Sequence, residues 1–340
     1  MMTGIIWALV AGLMLGLYAL SGKFTQDFKE ENTWGLFFMQ RRQFAITLLW
    51  VLSTTGYADP LGSPDLEEGL KGRQDIVYFT DFESEDWGKD WSGFGHTQNM
   101  RLVDSQSSKH LHEDFRGKAL EVSIKKGEFY GLSGKFVCKD KLGYEPEELY
   151  VRFYTYYAKD FGDQDGSQGY RGKAPGFDGT YGVEGWGGKP NIDGTKGWSC
   201  RGASSGGSEA DGVRFGFYSY AVKTGQYNYG QTLRYDKPIP YDTWTCVEQY
   251  IKLNTPGKND GVARAWINGE LVFEKTDYLW RTTNKLKIYS YWVDYYRGGK
   301  QPAYHNHHVY LDNLVIATGK RVGLYASASL PGESKKSGRN

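Results

Sequence analysis

From Asp75 onward the chain contains no long stretch with helical periodicity. Short runs rich in aromatic and β-branched residues alternate instead with turn residues, the pattern of strands in an all-β domain. The runs are IVYFTDF at 76–82, ALEVSIKK at 119–126, LYVRFYTYYA at 149–158, VRFGFYSYA at 213–221, TWTCVEQYIKLN at 243–254, GVARAWINGELVFEKT at 261–276, KLKIYSYWV at 285–293 and HVYLDNLVIA at 308–317. Asn268-Gly269, between ARAWI and ELVFE, predicts a two-residue type I′ hairpin, because both turn positions need positive φ. About a dozen short strands without a repeat predict two packed antiparallel sheets, a jelly-roll sandwich. Residues 162–212 are Gly-rich and weakly patterned and read as a long loop. A loop of that length in a compact domain is more often functional than idle.

Composition narrows the function classes. Charged residues are 24% of the chain and the formal net charge is +1, which argues against a general nucleic-acid binder. Aromatic residues reach 16%, with 26 Tyr and 11 Trp. Most of these are expected in a β core, and only those on an outward face are available to stack on sugar rings. Cys138, Cys200 and Cys246 fit no zinc-binding spacing. One disulfide with one thiol left over, or three free thiols, are both open.

The N-terminus carries two targeting-like segments. Ile5 to Leu20 is almost wholly apolar but short of the roughly 20 residues of a full span. A second segment has Arg41-Arg42 in a basic region, an apolar core from Phe44 to Leu52, and Gly56-Tyr57-Ala58 as a small-residue cleavage site. Arg41-Arg42 followed by Gln43-Phe44 also fits a twin-arginine signal. The stretch at 5–34 resembles the first helix of a bacterial sugar-transporter family related to the rhamnose transporter. The expectation is that translation starts at Met39 and that residues 1–38 come from a misassigned start or a gene fusion. The rival is a membrane anchor carrying an outward-facing domain. Residues 39–58 then read as a signal peptide, 59–74 as a linker, 75–319 as the β domain, and 320–340 as a disordered tail. The protein is expected to be secreted or periplasmic, touching a membrane only if the first segment is retained.

Three motifs concentrate reactive side chains. They are Lys173 in GKAPG, Ser199 and Arg201 in WSCR, and Tyr218 and Tyr220 in FGFYSY. Residues two apart on a strand share a face, so Ser199 pairs with Arg201 and Tyr218 with Tyr220. Eliminative cleavage of an acidic sugar chain needs a cation on the carboxylate, a base for the C5 proton and an acid for the leaving oxygen. Arg201 suits the carboxylate through its planar fork. Lys173 could do the same, or act as base if burial and Arg201 lower its pKa. Either tyrosine can be the general acid or base, and the cationic cluster is expected to lower their pKa values. Ser199 is expected to position Lys173 or a sugar hydroxyl. Arg214 lies on the same strand face as the tyrosines and is either a subsite contact or a surface charge. His305 and His307 share a face of an extended segment. With no Asp, Glu or Cys at a telling spacing they are expected to bind substrate and not a metal. No cofactor is expected. The bland reading stands beside all of this: alternate-position tyrosines are common in strands, and a lysine in a Gly-Pro turn is usually solvated.

The motifs GKAPG, WSCR and FGFYSY, followed by EQYIKLNTPGKNDGVARAWINGELVFEKTD, together resemble polysaccharide lyase family 14. The resemblance covers roughly Asp75 to Ala317. It implies a β-jelly-roll and β-elimination on a polyuronate, alginate or glucuronan. It places the family's lysine on Lys173, its serine and arginine on Ser199 and Arg201, and its tyrosine pair on Tyr218 and Tyr220. The stretch GASSGGSEAD after Arg201 and the His-rich AYHNHHVYLDN depart from the pattern. A glycoside hydrolase would need two carboxylates flanking the scissile bond, and no ExDxxE run is present. The other class kept open is a non-catalytic carbohydrate-binding module for acidic polysaccharides.

Overall fold

The computed structural model describes residues 67–111, 117–161, 171–205, 212–222 and 229–325. The two N-terminal targeting segments, and the tail beyond residue 325, lie outside the described residues. No helix among the described residues is long and apolar enough to cross a membrane.

The described strands form two antiparallel sheets. One contains β1 (Ile76–Thr80), β3 (Met100–Val103), β4 (Ala119–Ile124), β6 (Glu148–Tyr157), β11 (Thr245–Lys252), β12 (Gly261–Ile267), β13 (Glu270–Tyr278) and β15 (His307–Ala317). Its order is β13-β12-β11-β6-β15-β4-β3, with β1 also paired to β15. The other contains β2 (Phe94–Gly95), β5 (Tyr130–Val137), β7 (Arg171–Gly179), β8 (Trp198–Ser205), β9 (Arg214–Tyr220), β10 (Gln231–Arg234) and β14 (Ser290–Arg297). Its order is β10-β9-β8-β7-β14-β5-β2. This is the expected jelly-roll sandwich. Inward residues of both sheets, among them Phe153, Val247, Ile251 and Leu311 opposite Phe177, Cys200, Phe217 and Tyr291, share one buried core. Asn268 and Gly269 have φ of 48° and 82°, as the type I′ hairpin requires.

Two strand expectations need correction. The stretch 162–212 is not one long loop, because it contains β7 and β8 in the middle of the second sheet. Its alternation is broken by a bulge between Ala174 and Phe177. These two residues are three apart, which in a regular strand would put them on opposite faces. The bulge over Pro175 and Gly176 returns both to the core. Gly176 is required there, since a Cβ would lie 2.4 Å from the Gly202 nitrogen and 2.6 Å from the Arg201 Cα. The second correction concerns 285–293. Ile288 and Tyr289 give their N–H groups to Pro146 and Asp178 before the ladder begins, and β14 runs on to Arg297.

Parts of the expected linker and tail are fastened to the sandwich. Glu67 forms an ion pair with Arg152, both fully buried. Arg321 bonds Glu248 at 2.8 Å. Cys138, Cys200 and Cys246 are free and buried. Burial pushes the Cys138 thiol up to about 12 and the Cys246 thiol to about 11.

One buried amide joins the two sheets at the bulge. Gln249, on β11, donates from Nε2 to the Pro175 carbonyl (3.2 Å) and to the Tyr235 hydroxyl (3.3 Å). Its Oε1 accepts from the Tyr291 hydroxyl at 3.0 Å. Replacing Gln249 with Leu removes the partner of the carbonyl and of two hydroxyls in the core, at a cost on the order of 1–3 kcal/mol for each group left unsatisfied. Urea unfolding of Gln249→Leu should show a midpoint well below wild type. An unchanged midpoint would mean that this amide does not fasten the bulge.

Candidate active site

The outward face of the second sheet carries the reactive side chains, and its register brings them together. Across β8 and β9, Ser199 lies opposite Tyr220 and Arg201 opposite Tyr218. Lys173 lies opposite Ala203 on one side and Tyr296 on the other. Three strands therefore place Lys173, Arg201, Tyr218 and Tyr220 on adjoining positions of one surface.

Lys173 is half-buried, and its ammonium sits over the Tyr218 ring, 3.2 Å from the centroid. Burial, then the neighbouring positive charge of Arg201, holds its pKa down to about 7. No acidic side chain among the described residues pairs with it. Arg201 is almost fully buried and forms an ion pair with Asp294 of β14. Its guanidinium also stacks on Trp292, 4.0 Å from the ring centroid. Lys135 approaches the same ring at 4.1 Å and pairs with the buried carboxylate of Asp178 at 2.5 Å. Two buried acids thus offset Arg201 and Lys135.

The tyrosines behave differently from the sequence expectation. The Tyr218 hydroxyl is pushed up from its ordinary value, first by burial and then by Tyr220, instead of down by the cations. It therefore stays protonated at neutral pH. Its oxygen accepts the Gly230 N–H at 3.1 Å, and the Tyr220 oxygen accepts the Gly188 N–H at 3.2 Å. The two rings meet edge to face with centroids 5.5 Å apart. Ser199 is fully buried and its hydroxyl donates to the Gly185 carbonyl at 2.7 Å. It reaches the turn that also contacts Tyr220, not Lys173.

A cavity of about 380 Å³ opens on this face. Lys173, Arg214, Tyr218 and Arg234 line it, with Ala203, Ser204 and Ser205 of β8 and, among the described residues, no carboxylate. Gly202–Ser205, the described part of GASSGGSEAD, thus continues the strand and forms one wall; residues 206–211 lie outside the described residues. Arg214 therefore lies where a subsite contact would. Arg234, unremarked in the sequence, bonds Ser205 at 2.7 Å. It sits two residues from Thr232, which pairs with Tyr218, so the alternation of β10 could have pointed to it. Asp294 was also missed; its clue was the alternation of Trp292, Asp294 and Tyr296 along one strand. His305 and His307 do not line this cavity. Their ring nitrogens lie 2.9 and 3.0 Å from the backbone carbonyl of Asp160.

The Arg201–Asp294 pair makes a separable prediction. Arg201→Ala leaves Asp294 as an uncompensated buried charge and should cost about 3–5 kcal/mol of stability. The double variant Arg201→Met, Asp294→Leu should recover most of that stability in thermal unfolding without recovering activity. Recovery of activity would show that Arg201 serves the fold alone.

Comparison with known proteins follows this geometry. No curated protein sequence matches the chain. Among solved structures, the alginate lyase Aly36B is 23% identical with a TM-score of 0.54, covering 73% of this chain and 95% of its own. The marine alginate lyase from Aplysia kurodai is 17% identical with a TM-score of 0.53, covering 72% of this chain and 99% of its own. Alginate lyase vAL-1 from a Chlorella virus is 18% identical with a TM-score of 0.50, covering 68% and 94%. At these identities the likeness establishes a shared fold. The family model described as Polysaccharide lyase 14 matches residues 114–313, more than half of the chain and all of the strands that carry the cleft. The chain belongs to the polysaccharide lyase 14 family and is a polysaccharide lyase.

Proposed function

We propose that this lyase is exported and cleaves a polyuronate by β-elimination on the outward face of the second sheet. The observation that carries the reading is the cavity whose described lining holds Lys173, Arg214 and Arg234. Such a lining attracts a polyanion, and its described residues include no pair of acids of the kind glycoside hydrolysis uses. Alginate is the first candidate substrate. The solved structures sharing the fold include Aly36B in complex with an alginate tetrasaccharide, at 21% identity and a TM-score of 0.51. Export rests on the signal-like sequence at 39–58.

In this mechanism Lys173 is the base. With a pKa near 7, a large share of its amine is neutral at physiological pH and can take the C5 proton. The electrons of the C5–H bond form the C4=C5 double bond, and the C4–O bond to the departing sugar breaks. Tyr218 lines the cavity and holds its proton, so it supplies that proton to the leaving oxygen. The Gly230 N–H then stabilises the phenolate. Arg201 lies beside both groups and its charge favours the enolate-like state at C5. Tyr220 and Ser199 hold the turn at Gly185 and Gly188 against the tyrosine pair. Arg214 and Arg234 bind carboxylates of neighbouring sugars.

The deciding assay is ultraviolet absorbance of the protein mixed with alginate block fractions and, separately, glucuronan. Elimination creates an absorbing conjugated double bond, and a rise on one polymer names the substrate. A flat signal from folded protein on every polyuronate would favour a binding module.

Two further outcomes follow from the assigned roles. Tyr218→Phe should lower kcat by about 10²–10⁴-fold while leaving polymer binding nearly intact. The neutral fraction of Lys173 falls as pH drops below its pKa. Consequently kcat/KM should rise about tenfold per unit up to pH of about 7 and then level off. Lys173→Arg, which stays protonated, should remove that profile along with the activity. A flat profile in the wild-type protein would take the base role from Lys173.

A further inference from the structure

Four histidines surround one residue in the short 3₁₀ turn Lys159–Phe161. His305 and His307 meet the carbonyl of Asp160, as described above. The Asp160 carboxylate meets two more. Its Oδ1 accepts the backbone N–H of His308 at 3.1 Å, and its Oδ2 lies 2.6 Å from His308 Nδ1. His110 Nε2 lies 3.4 Å from the same Oδ2. The ligand atoms of His110, Asp160 and His308 all fall within 4.8 Å of one another.

We infer that His110, Asp160 and His308 form a binding site for a zinc-class divalent cation. Two imidazole nitrogens and one carboxylate oxygen are the donor set of zinc and its transition-metal neighbours, whereas calcium and magnesium take oxygen ligands. The 3.4 Å separation of His110 and Asp160 is the edge of a tetrahedron with metal–ligand bonds of about 2.1 Å. All three side chains are partly buried, with 18–26% exposure, so a fourth position faces solvent and would take water.

The surroundings hold the three ligands in place as metal sites require. Oδ1 is already engaged by a backbone N–H, which leaves Oδ2 aimed at both imidazoles. His110 is fixed through its backbone: its carbonyl accepts from the Tyr156 hydroxyl at 2.9 Å, and its N–H donates to Ser108 Oγ at 3.2 Å. The His305 and His307 contacts with the carbonyl fix the backbone of Asp160 itself. Binding through His308 Nδ1 requires the tautomer with the ring proton on Nε2, and the metal then takes the place of the Nδ1 contact with Asp160. The cation would join three segments distant in sequence: the stretch before β4, the turn after β6, and the start of β15. This site includes none of the residues lining the lyase cavity, and the inference stands apart from the lyase reading.

The sequence alone suggested a His305–His307 pair and found no acid to complete it. The fold supplies Asp160 from β6's end, and it uses the next histidine, His308, with His110.

The test is equilibrium dialysis of the purified full chain, stripped with EDTA, against zinc chloride, with metal content and thermal unfolding as readouts. One equivalent of zinc should be retained, and Tm should rise with zinc and return with EDTA. Cobalt in its place should give the visible absorption of a four- or five-coordinate ion. His110→Ala and His308→Ala should each weaken zinc binding by more than the roughly 10–100-fold expected for loss of a supporting partner. His96→Ala, whose ring stacks on Tyr130 outside the cluster, should bind as wild type. Retention of no stoichiometric zinc, or binding unchanged in His110→Ala, would overturn the inference. If His308→Ala does not fold, the partly exposed His110 variant decides alone.

Discussion

Two cations on adjoining positions of a half-buried sheet face repel each other, and the site depends on how the fold tolerates Lys173 beside Arg201. The repulsion is not cancelled. Asp294, two strands away on β14, matches Arg201, while Asp178 matches Lys135, so the charges nearest the core are paired. Lys173 sits beside Arg201 with no acid among the described residues paired to it, and burial, then Arg201, loosens its proton. The cost of holding it there is borne by the sandwich as a whole, through the apolar core on the reverse of the same strands.

The arrangement also explains why the tyrosines and the lysine divide the chemistry. A neighbouring cation would ordinarily favour a phenolate, yet burial and the second tyrosine act more strongly on Tyr218. Arg201 is already committed to Asp294, which weakens its hold on the ring beside it. The same burial that keeps the phenol protonated makes the amine easier to deprotonate, because each environment disfavours the charged form. One low-polarity patch therefore sets a base and an acid next to each other.

Positioning comes from backbone detail. Lys173 immediately precedes a bulge, and the bulge is held from the opposite sheet by Gln249 and accommodated by the missing side chain of Gly176. Above it, Ser199 and Tyr220 clasp the turn at Gly185 and Gly188. These contacts link the second sheet's outer face to the core and to its rim, so the site is built on strands instead of mobile loops.

Much of this was legible in the chain. Period-two patterning showed β6, β9, β11 and the β12–β13 hairpin, and with them the sandwich, because a strand with one buried face must alternate. Side-chain spacing put Tyr218 with Tyr220 and Ser199 with Arg201 for the same reason. The strands β7 and β8 were hidden, since a bulge and several glycines erase alternation where two backbones approach closely. The partners of the reactive groups were also hidden: Asp294 for Arg201, Arg234 on the cavity wall, and Asp160 among the histidines. Which face a residue occupies is local and follows from the pleat. Which residue stands across from it depends on strand order and register, and the pKa values follow from those neighbours and from burial, so only the tertiary structure could decide them.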